Sequence, residues 1–326
     1  MTTEFFNPNS NVNFMGVRRW SVVVSLLLVG ISIFSLSTRG LNLALDFTGG
    51  TLIEATFEKP AEQQDIIESL KKAGFASPVV QRYDSRNFAI RLKPEASENV
   101  KIAESDADNL GARNTALSRE VKAALTTEAN PVTLKPSVYV GPQVGKDLAT
   151  GGIVAVVVVL LGIVFYIMIR FEWKFAVATV ATELHDVILV LGFFSLTQMD
   201  FDLAVLAAIL AVDGYSVNDT IVVFDRVREL FKSTRNLSPV EVLNRAVNST
   251  LSRTIMTSLT TLLTVTALFL FGGEALKGFS LALIIGILVG TLSSIYFASP
   301  VLLWLGVTKQ DLLPKARDDA ELHARP

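Results

Sequence analysis

FAVATVATELHDVILVLGFFSL, residues 175–196, and LAVLAAILAVDGYSVNDTIVVF, residues 203–224, are each apolar enough to cross a bilayer, yet together they carry four carboxylates, Glu183, Asp186, Asp213 and Asp219. A charged side chain near a bilayer centre costs roughly 2.5–3.5 kcal/mol even on the lenient insertion scale. A helix that only anchors the chain would use leucine there. Several acids at similar depth on two successive helices point to a hydrated path for ions or protons. The competing reading is that some of them lie near an interface, or pair only to hold helices together.

Composition sets the frame. The chain has 326 residues, is 50% hydrophobic and carries a net charge of −2, which places it among polytopic membrane proteins and gives no basic balance for nucleic acid. It has no cysteine, so disulfides, thiolate metal sites and cysteine nucleophiles are excluded; His185 and His323 are its two histidines, too few for a histidine-rich metal centre. Transport or an accessory membrane role fits this inventory better than soluble catalysis, and no cofactor or metal is expected.

Six stretches are long enough to span: 20–36, 153–169, 175–196, 203–224, 255–271 and 279–305. Arg18 and Arg19 precede a short first apolar run, as in a signal peptide, but Ser35-Leu36-Ser37 is a poor match to a small-x-small cleavage site, so an uncleaved helix is expected. The short loops set the orientation. Arg18, Arg19, Arg170, Lys174, Arg226, Arg228, Lys232, Arg235, Arg245 and Arg253 share one side, whereas the loops 197–202 and 272–278 hold Asp200, Asp202, Glu274 and a single Lys277. The positive-inside rule then puts both termini in the cytoplasm and the long segment after the first helix outside. The expected organisation is a cytoplasmic N-terminus (1–19), a first transmembrane helix (20–38), an outer domain (39–147), helices two to six (148–308) and a cytoplasmic tail (309–326) that lacks an apolar stripe.

The outer segment reads as a small α+β domain. Residues 51–58 alternate Leu52, Glu54 and Thr56 with Ile53, Ala55 and Phe57, as in a half-buried strand. Pro60 precedes a helix over 61–73 with Ile66, Ile67 and Leu70 on one stripe, ended by Gly74. Strands over 78–83 and 88–93 flank the hairpin residues Asp84-Ser85-Arg86-Asn87. A polar stretch, 94–105, leads to a second helix near 108–126 with Leu117, Val121 and Leu125 on one face, and 132–140 closes the set as a strand. The order β-α-β-β-α-β is the ferredoxin-like pattern. With no metal cluster, nucleophile–base pair or phosphate loop in its sequence, this domain is expected to contact other proteins.

The motifs then point to a family. Leu45-Asp46-Phe47-Thr48-Gly49-Gly50-Thr51 after the first helix, Val140-Gly141-Pro142-Gln143-Val144-Gly145 before the second, Phe171-Glu172-Trp173 after it and His185-Asp186-Val187 in the third resemble the SecF signature of the SecD/SecF family. So does the long run from Gly214 to Arg226, followed by Ser252-Arg253-Thr254 and Phe271-Gly272-Gly273. The resemblance extends from about residue 12 to residue 308. It implies a six-helix RND-like half that pairs with SecD in the bacterial inner membrane, with its outer domain in the periplasm. It further implies YajC, the SecYEG channel, the SecA motor, preproteins and membrane lipids as partners, and use of the proton-motive force to complete export. The other reading of the same pattern is an RND-type exporter half for lipids or small molecules, whose outer portions are usually much larger.

Spacing nominates the relay. Thr182, Glu183 and Asp186 can share one helical face; on the next helix Tyr215, Asp219 and Arg226 form one stripe, and Asp213, Val217 and Thr220 another. Thr254, Thr257, Ser258, Thr261 and Thr264 make a hydroxyl stripe on the fifth helix, with Arg253 at its mouth. The proton-relay candidates are therefore Asp186, Asp219, Asp213, Glu183 and Arg253. The resemblance sets two of them apart, because the family usually has an apolar residue at the position of Asp213 and an uncharged one at Glu183; Asp186 and Asp219 rank above them.

Overall fold

A computed structural model describes residues 12–75, 78–93, 110–234 and 236–312. The polar stretch 94–105, Arg235 and the charged tail 314–326 lie outside the described residues. The chain divides into two compact units, Leu43–Val154 on one hand and Met1–Asn42 with Ala155–Pro326 on the other.

The smaller unit opens with one helical turn, α2 (Leu45–Thr48), built by the Leu-Asp-Phe-Thr motif and closed by Gly49 at φ 67°. Strand β1 (Gly50–Phe57) follows, then α3 (Gln63–Lys72), the hairpin β2 (Val79–Arg82) and β3 (Asn87–Leu92), and α4 (Leu110–Leu125). The last expected strand is broken in two, β4 (Val132–Leu134) and β5 (Val138–Val140). Pro136, which has no N–H for a ladder, lies in the break. Both pieces still pair antiparallel with β1, β4 against Ala55–Phe57 and β5 against Gly50–Leu52. The spatial order β2-β3-β1-β4 with all neighbours antiparallel is consistent with the ferredoxin-like arrangement. Ile53, Ala55 and Phe57 on one face of β1 pack with Ile66 and Leu70 of α3 and Leu117, Val121 and Leu125 of α4. The alternation and the two helical stripes thus meet in one core, where Phe57 and Phe88 contact edge to face at 5.6 Å.

Among the described residues, six helices are long and apolar enough to cross a membrane. These are α1 (Arg18–Thr38), α5 (Pro142–Arg170), α6 (Trp173–Thr197), α7 (Leu203–Ser233), α8 (Pro239–Phe271) and α9 (Glu274–Ser293), the last continuing through a π-helical turn, Ser294–Ala298, into α10 (Ser299–Trp304). At 1.5 Å per residue the 31 residues of α7 reach about 46 Å, past a hydrocarbon core of about 30 Å. Its polar end and the start of α8 therefore stand outside the apolar layer. Sequence explains the boundaries: Asp202 caps α7 by accepting from Val205 N at 2.7 Å, and Ser238 and Glu241 form a reciprocal capping box with Pro239 in the first turn of α8.

Half of the central window is buried in α6, α7 and the α9–α10 span, against 17% in α1 and α8 and 6% in α5. The first three form the interior, and the acids lie on two of them. Small residues permit the close approach. Gly286 faces Val212, and a Cβ at Gly290 would lie 3.0 Å from Ser216 Cβ, so α9 meets α7 nearly backbone to backbone. Ser35 on α1 and Ser195 on α6 share a hydrogen bond of 2.8 Å. Pro300 has no N–H for the Tyr296 carbonyl four residues earlier, and Ser21 Oγ of α1 donates to that carbonyl at 2.9 Å.

In the hairpin, the Asp84 carboxylate accepts from Arg86 N at 2.6 Å, Asn87 N at 2.9 Å and Asn87 Nδ2 at 2.7 Å. These donors, the Arg86 amide foremost, hold its pKa at about 2 against an ordinary 3.8. Because the folded value is depressed, the stabilisation is complete above the unfolded pKa and is lost as pH falls through the folded one. We predict that the gap in unfolding midpoint between wild type and Asp84→Ala is full at neutral pH, shrinks below about pH 4 and vanishes only below about pH 2. Thermal melts across that range check it; a gap that persists at the acid end rules out the carboxylate as the cause.

Candidate functional site

The interior of the helical unit contains the four acids nominated from sequence. Asp186 on α6 is 1% exposed and fully engaged. Its Oδ2 accepts from Ser216 Oγ of α7 at 2.6 Å and from Ser293 Oγ of α9 at 2.7 Å, and its Oδ1 lies 2.8 Å from His185 Nδ1. His185 in turn stacks on Phe297 of the π-helical turn, ring centroids 4.3 Å apart. One carboxyl group thus joins three helices and fixes the local register of the α9–α10 span. π-turns of this kind concentrate at functional positions because they redirect side chains by one residue.

The other three acids are placed differently. Asp219 on α7 is 3% exposed and its Oδ2 has no hydrogen-bond partner, while the Arg253 charge on α8 acts on it. Arg253 itself is exposed. Glu183 and Asp213 are 1% and 2% exposed, and their four carboxyl oxygens have no hydrogen-bond partner among the described residues. Each acts electrostatically on the other, and Asp186 acts on both. Burying an ionised carboxylate without a partner is among the costliest arrangements a protein can hold, so these groups are held by the fold rather than holding it.

The hydroxyl stripe of α8 splits. Thr257, Thr261 and Thr264 close onto carbonyls of their own helix, as hydroxyls in apolar surroundings often do. Ser258 turns inward to share a 2.7 Å hydrogen bond with Thr291 on α9 and to receive Tyr215 Oη of α7 at 3.4 Å, and the buried Thr254 Oγ1 has no partner. On α6, Thr182 is buried but donates to the Ala178 carbonyl. Arg226, placed by spacing on the Asp219 stripe, turns instead to Glu229 and Ser249.

Sequence reading passed over Ser216, Ser293 and Thr291. Single hydroxyls in apolar runs look like packing residues, and only the pairing of α6, α7 and α9 shows which of them face an acid. A second network draws motif residues together at the end of α5. Arg170 pairs with Asp225 at 2.9 Å and Arg228 with Glu172 at 3.2 Å, and both guanidinium groups lie 5.1 Å from the Phe171 ring centroid.

Comparison with known proteins follows from this geometry. Residues 120–308 match the family described as "Protein export membrane protein SecD/SecF, C-terminal", and residues 34–61 match the SecD/SecF GG motif. The protein translocase subunit SecF of Pseudomonas aeruginosa is 45% identical over 312 residues, covering 94% of this chain and 96% of that protein. The SecF subunit of Vibrio alginolyticus is 42% identical over 318 residues, 96% of this chain and 97% of its own. Among solved structures, SecDF of Thermus thermophilus, described as a translocon-associated membrane protein, superposes with a TM-score of 0.80 at 36% identity over 93% of this chain. This chain spans 40% of that longer SecDF chain.

Loss of the Asp186 carboxylate strands the buried Ser216 donor and leaves Ser293 only the Gly290 carbonyl at 3.1 Å. Asp186→Ala is predicted to destabilise the chain by about 1–3 kcal/mol per donor left unpaired. Ser216→Ala and Ser293→Ala are predicted to be non-additive with it, with a coupling of about 0.5–3 kcal/mol. Denaturation midpoints of the purified full chain in detergent, taken through the double-mutant cycles, check this; additive effects would remove Asp186 as the shared acceptor.

Proposed function

This chain belongs to the SecD/SecF family of protein export membrane proteins, as a SecF-type subunit of the protein translocase, and from that premise we propose that it couples an ion gradient, the proton-motive force, to the completion of protein export. In this reading it lies in the bacterial inner membrane with both termini cytoplasmic and its α+β domain periplasmic. It pairs with SecD, joins YajC, SecYEG and SecA, and acts on preproteins. The 40% share of the Thermus SecDF chain supports the pairing, since that longer chain extends well beyond the region matched here. The outward faces of α1, α5 and α8 leave ample apolar surface for a partner helix and for lipid.

Asp219 carries the proposal. A carboxyl with an unpartnered oxygen, buried in the bundle and within the field of an exposed arginine, can take up and release a proton, because the arginine stabilises the charged form that burial penalises. Tyr215 and Ser258, joined at 3.4 Å, extend the path between α7 and α8, and Asp186, Asp213 and Glu183 are the further acids on α6 and α7. Proton uptake removes a buried charge from α7 and shifts the balance of its packing against α8 and α9, which gives the helices two arrangements for the outer domain to follow.

Asp219→Asn keeps the side-chain shape and is predicted to leave folding and SecD co-purification intact. It is also predicted to abolish the part of export stimulation that depends on a membrane potential or pH gradient. Preprotein export into inverted membrane vesicles, with and without an uncoupler, checks this. A well-assembled Asn variant with undiminished gradient-dependent export would sink the relay at Asp219.

A further inference from the structure

Glu183 and Asp213 are acids that the SecF resemblance does not account for, yet they are among the most buried polar groups in the chain. We propose that Glu183 and Asp213 form a carboxyl–carboxylate pair that stores one proton between α6 and α7, a proton-binding site separate from Asp219 and Arg253. What the stored proton does for export rests on the ion-coupled reading above; the existence of the site does not.

Two observations carry the proposal. The side chains come from different helices and act on each other, so they face a common space. All four of their oxygens are buried and lack a hydrogen-bond donor, at 1% and 2% exposure. Two ionised carboxylates in such a space repel each other and have no donor to replace lost hydration; two charges 4 Å apart already interact by about 4 kcal/mol at an effective dielectric of 20. A single proton removes both difficulties. It neutralises one group and supplies the O–H that the other accepts, the arrangement in which paired acids elsewhere share one proton. The proton comes from and returns to water, and no other bond changes.

The surroundings favour a proton over a metal cation. Of the nearby hydroxyls, Ser216 and Ser293 are spent on Asp186, and Thr182 donates to its own helix. Charged and titratable groups facing the pair are few. α6 adds Asp186, to which His185 is bound, while Tyr215 and Asp219 of α7 are not among the groups that act on the pair. α9 has only Glu274 and Lys277 in its first turn and no charged residue after them, and α1 has none between Arg19 and Arg39. α8 brings Arg253, which acts on Asp219 and not on Glu183 or Asp213. Among the described residues no cationic side chain therefore competes with the proton for the pair.

Infrared spectroscopy of the purified full chain in detergent at neutral pH tests the site. The wild type is expected to show a protonated-carboxyl C=O stretch that shifts when water is exchanged for D2O. In Glu183→Gln and in Asp213→Asn an amide N–H takes the place of the shared proton, so the band is expected to vanish in each variant and to remain in Asp219→Asn. Absence of the band from the wild type overturns the proposal and needs no variant to fold. The proposal is also overturned by a band that survives either substitution, or by one that disappears only with Asp219→Asn. A rise in melting midpoint with sodium over choline chloride, abolished in both variants, would replace the proton with sodium and overturn it equally. Vesicle export with Asp219→Asn tests the relay independently, so either idea can fail alone.

Discussion

The Asp186 carboxylate is the contact on which the helical unit depends. A carboxylate placed among apolar helices is tolerable only when donors surround it, and here α7 and α9 each contribute one hydroxyl while His185 covers the other oxygen. Those donors are short serine side chains, so they reach Asp186 only if the backbones come close. Gly286 and Gly290 make that approach possible, and the π-helical turn after Ser293 aims Phe297 at the His185 ring. Register, helix spacing and the local unwinding of the last span thus serve the same buried carboxyl group.

Against that satisfied acid, the unsatisfied ones stand out. Asp219, Glu183 and Asp213 are as buried as Asp186, yet the surrounding helices supply them with no comparable set of donors. A group held without donors is poised to exchange with water or to take a proton, whereas a group with three partners is held in one state. Satisfied and unsatisfied carboxylates thus lie only a few residues apart on the same helices. The hydroxyl links Tyr215–Ser258–Thr291 run beside them and tie α7 to α8 and α9.

In the smaller unit the signature residues act through backbone geometry. Gly49 and Gly50 adopt φ values of 67° and 120°, and a side chain at Gly50 would collide with the Leu92 carbonyl on the neighbouring strand. The double glycine thus lets β1 begin directly after the turn of α2, with Thr51 opposite Leu92. The network at the end of α5 is similar in kind: Arg228, just past the Gly214–Arg226 run, meets Phe171 and Glu172 of one motif and Asp225 of another. Motifs far apart in the chain mark contacts in the fold.

Sequence by itself determined the six spans, the α+β order of the segment between the first two and the presence of acids inside apolar runs. Each of these follows from local periodicity or from a charge in an apolar stretch. The core of the small unit was legible residue by residue, from Ile53 on β1 to Leu117 on α4, because period two and period 3.6 register directly in burial. The break at Pro136, the turn of α2 and the π-helical turn after Ser293 belong to strand pairing and helix packing, which no local pattern records. The same is true within the candidate site. Spacing could place Asp186, Asp219, Glu183 and Asp213 on helical faces, but their donors come from other helices. Tertiary packing alone decided that Asp186 is satisfied by Ser216 and Ser293 while Glu183 and Asp213 face each other with none, since a hydrogen bond between helices depends on their distance and rotation rather than on either sequence.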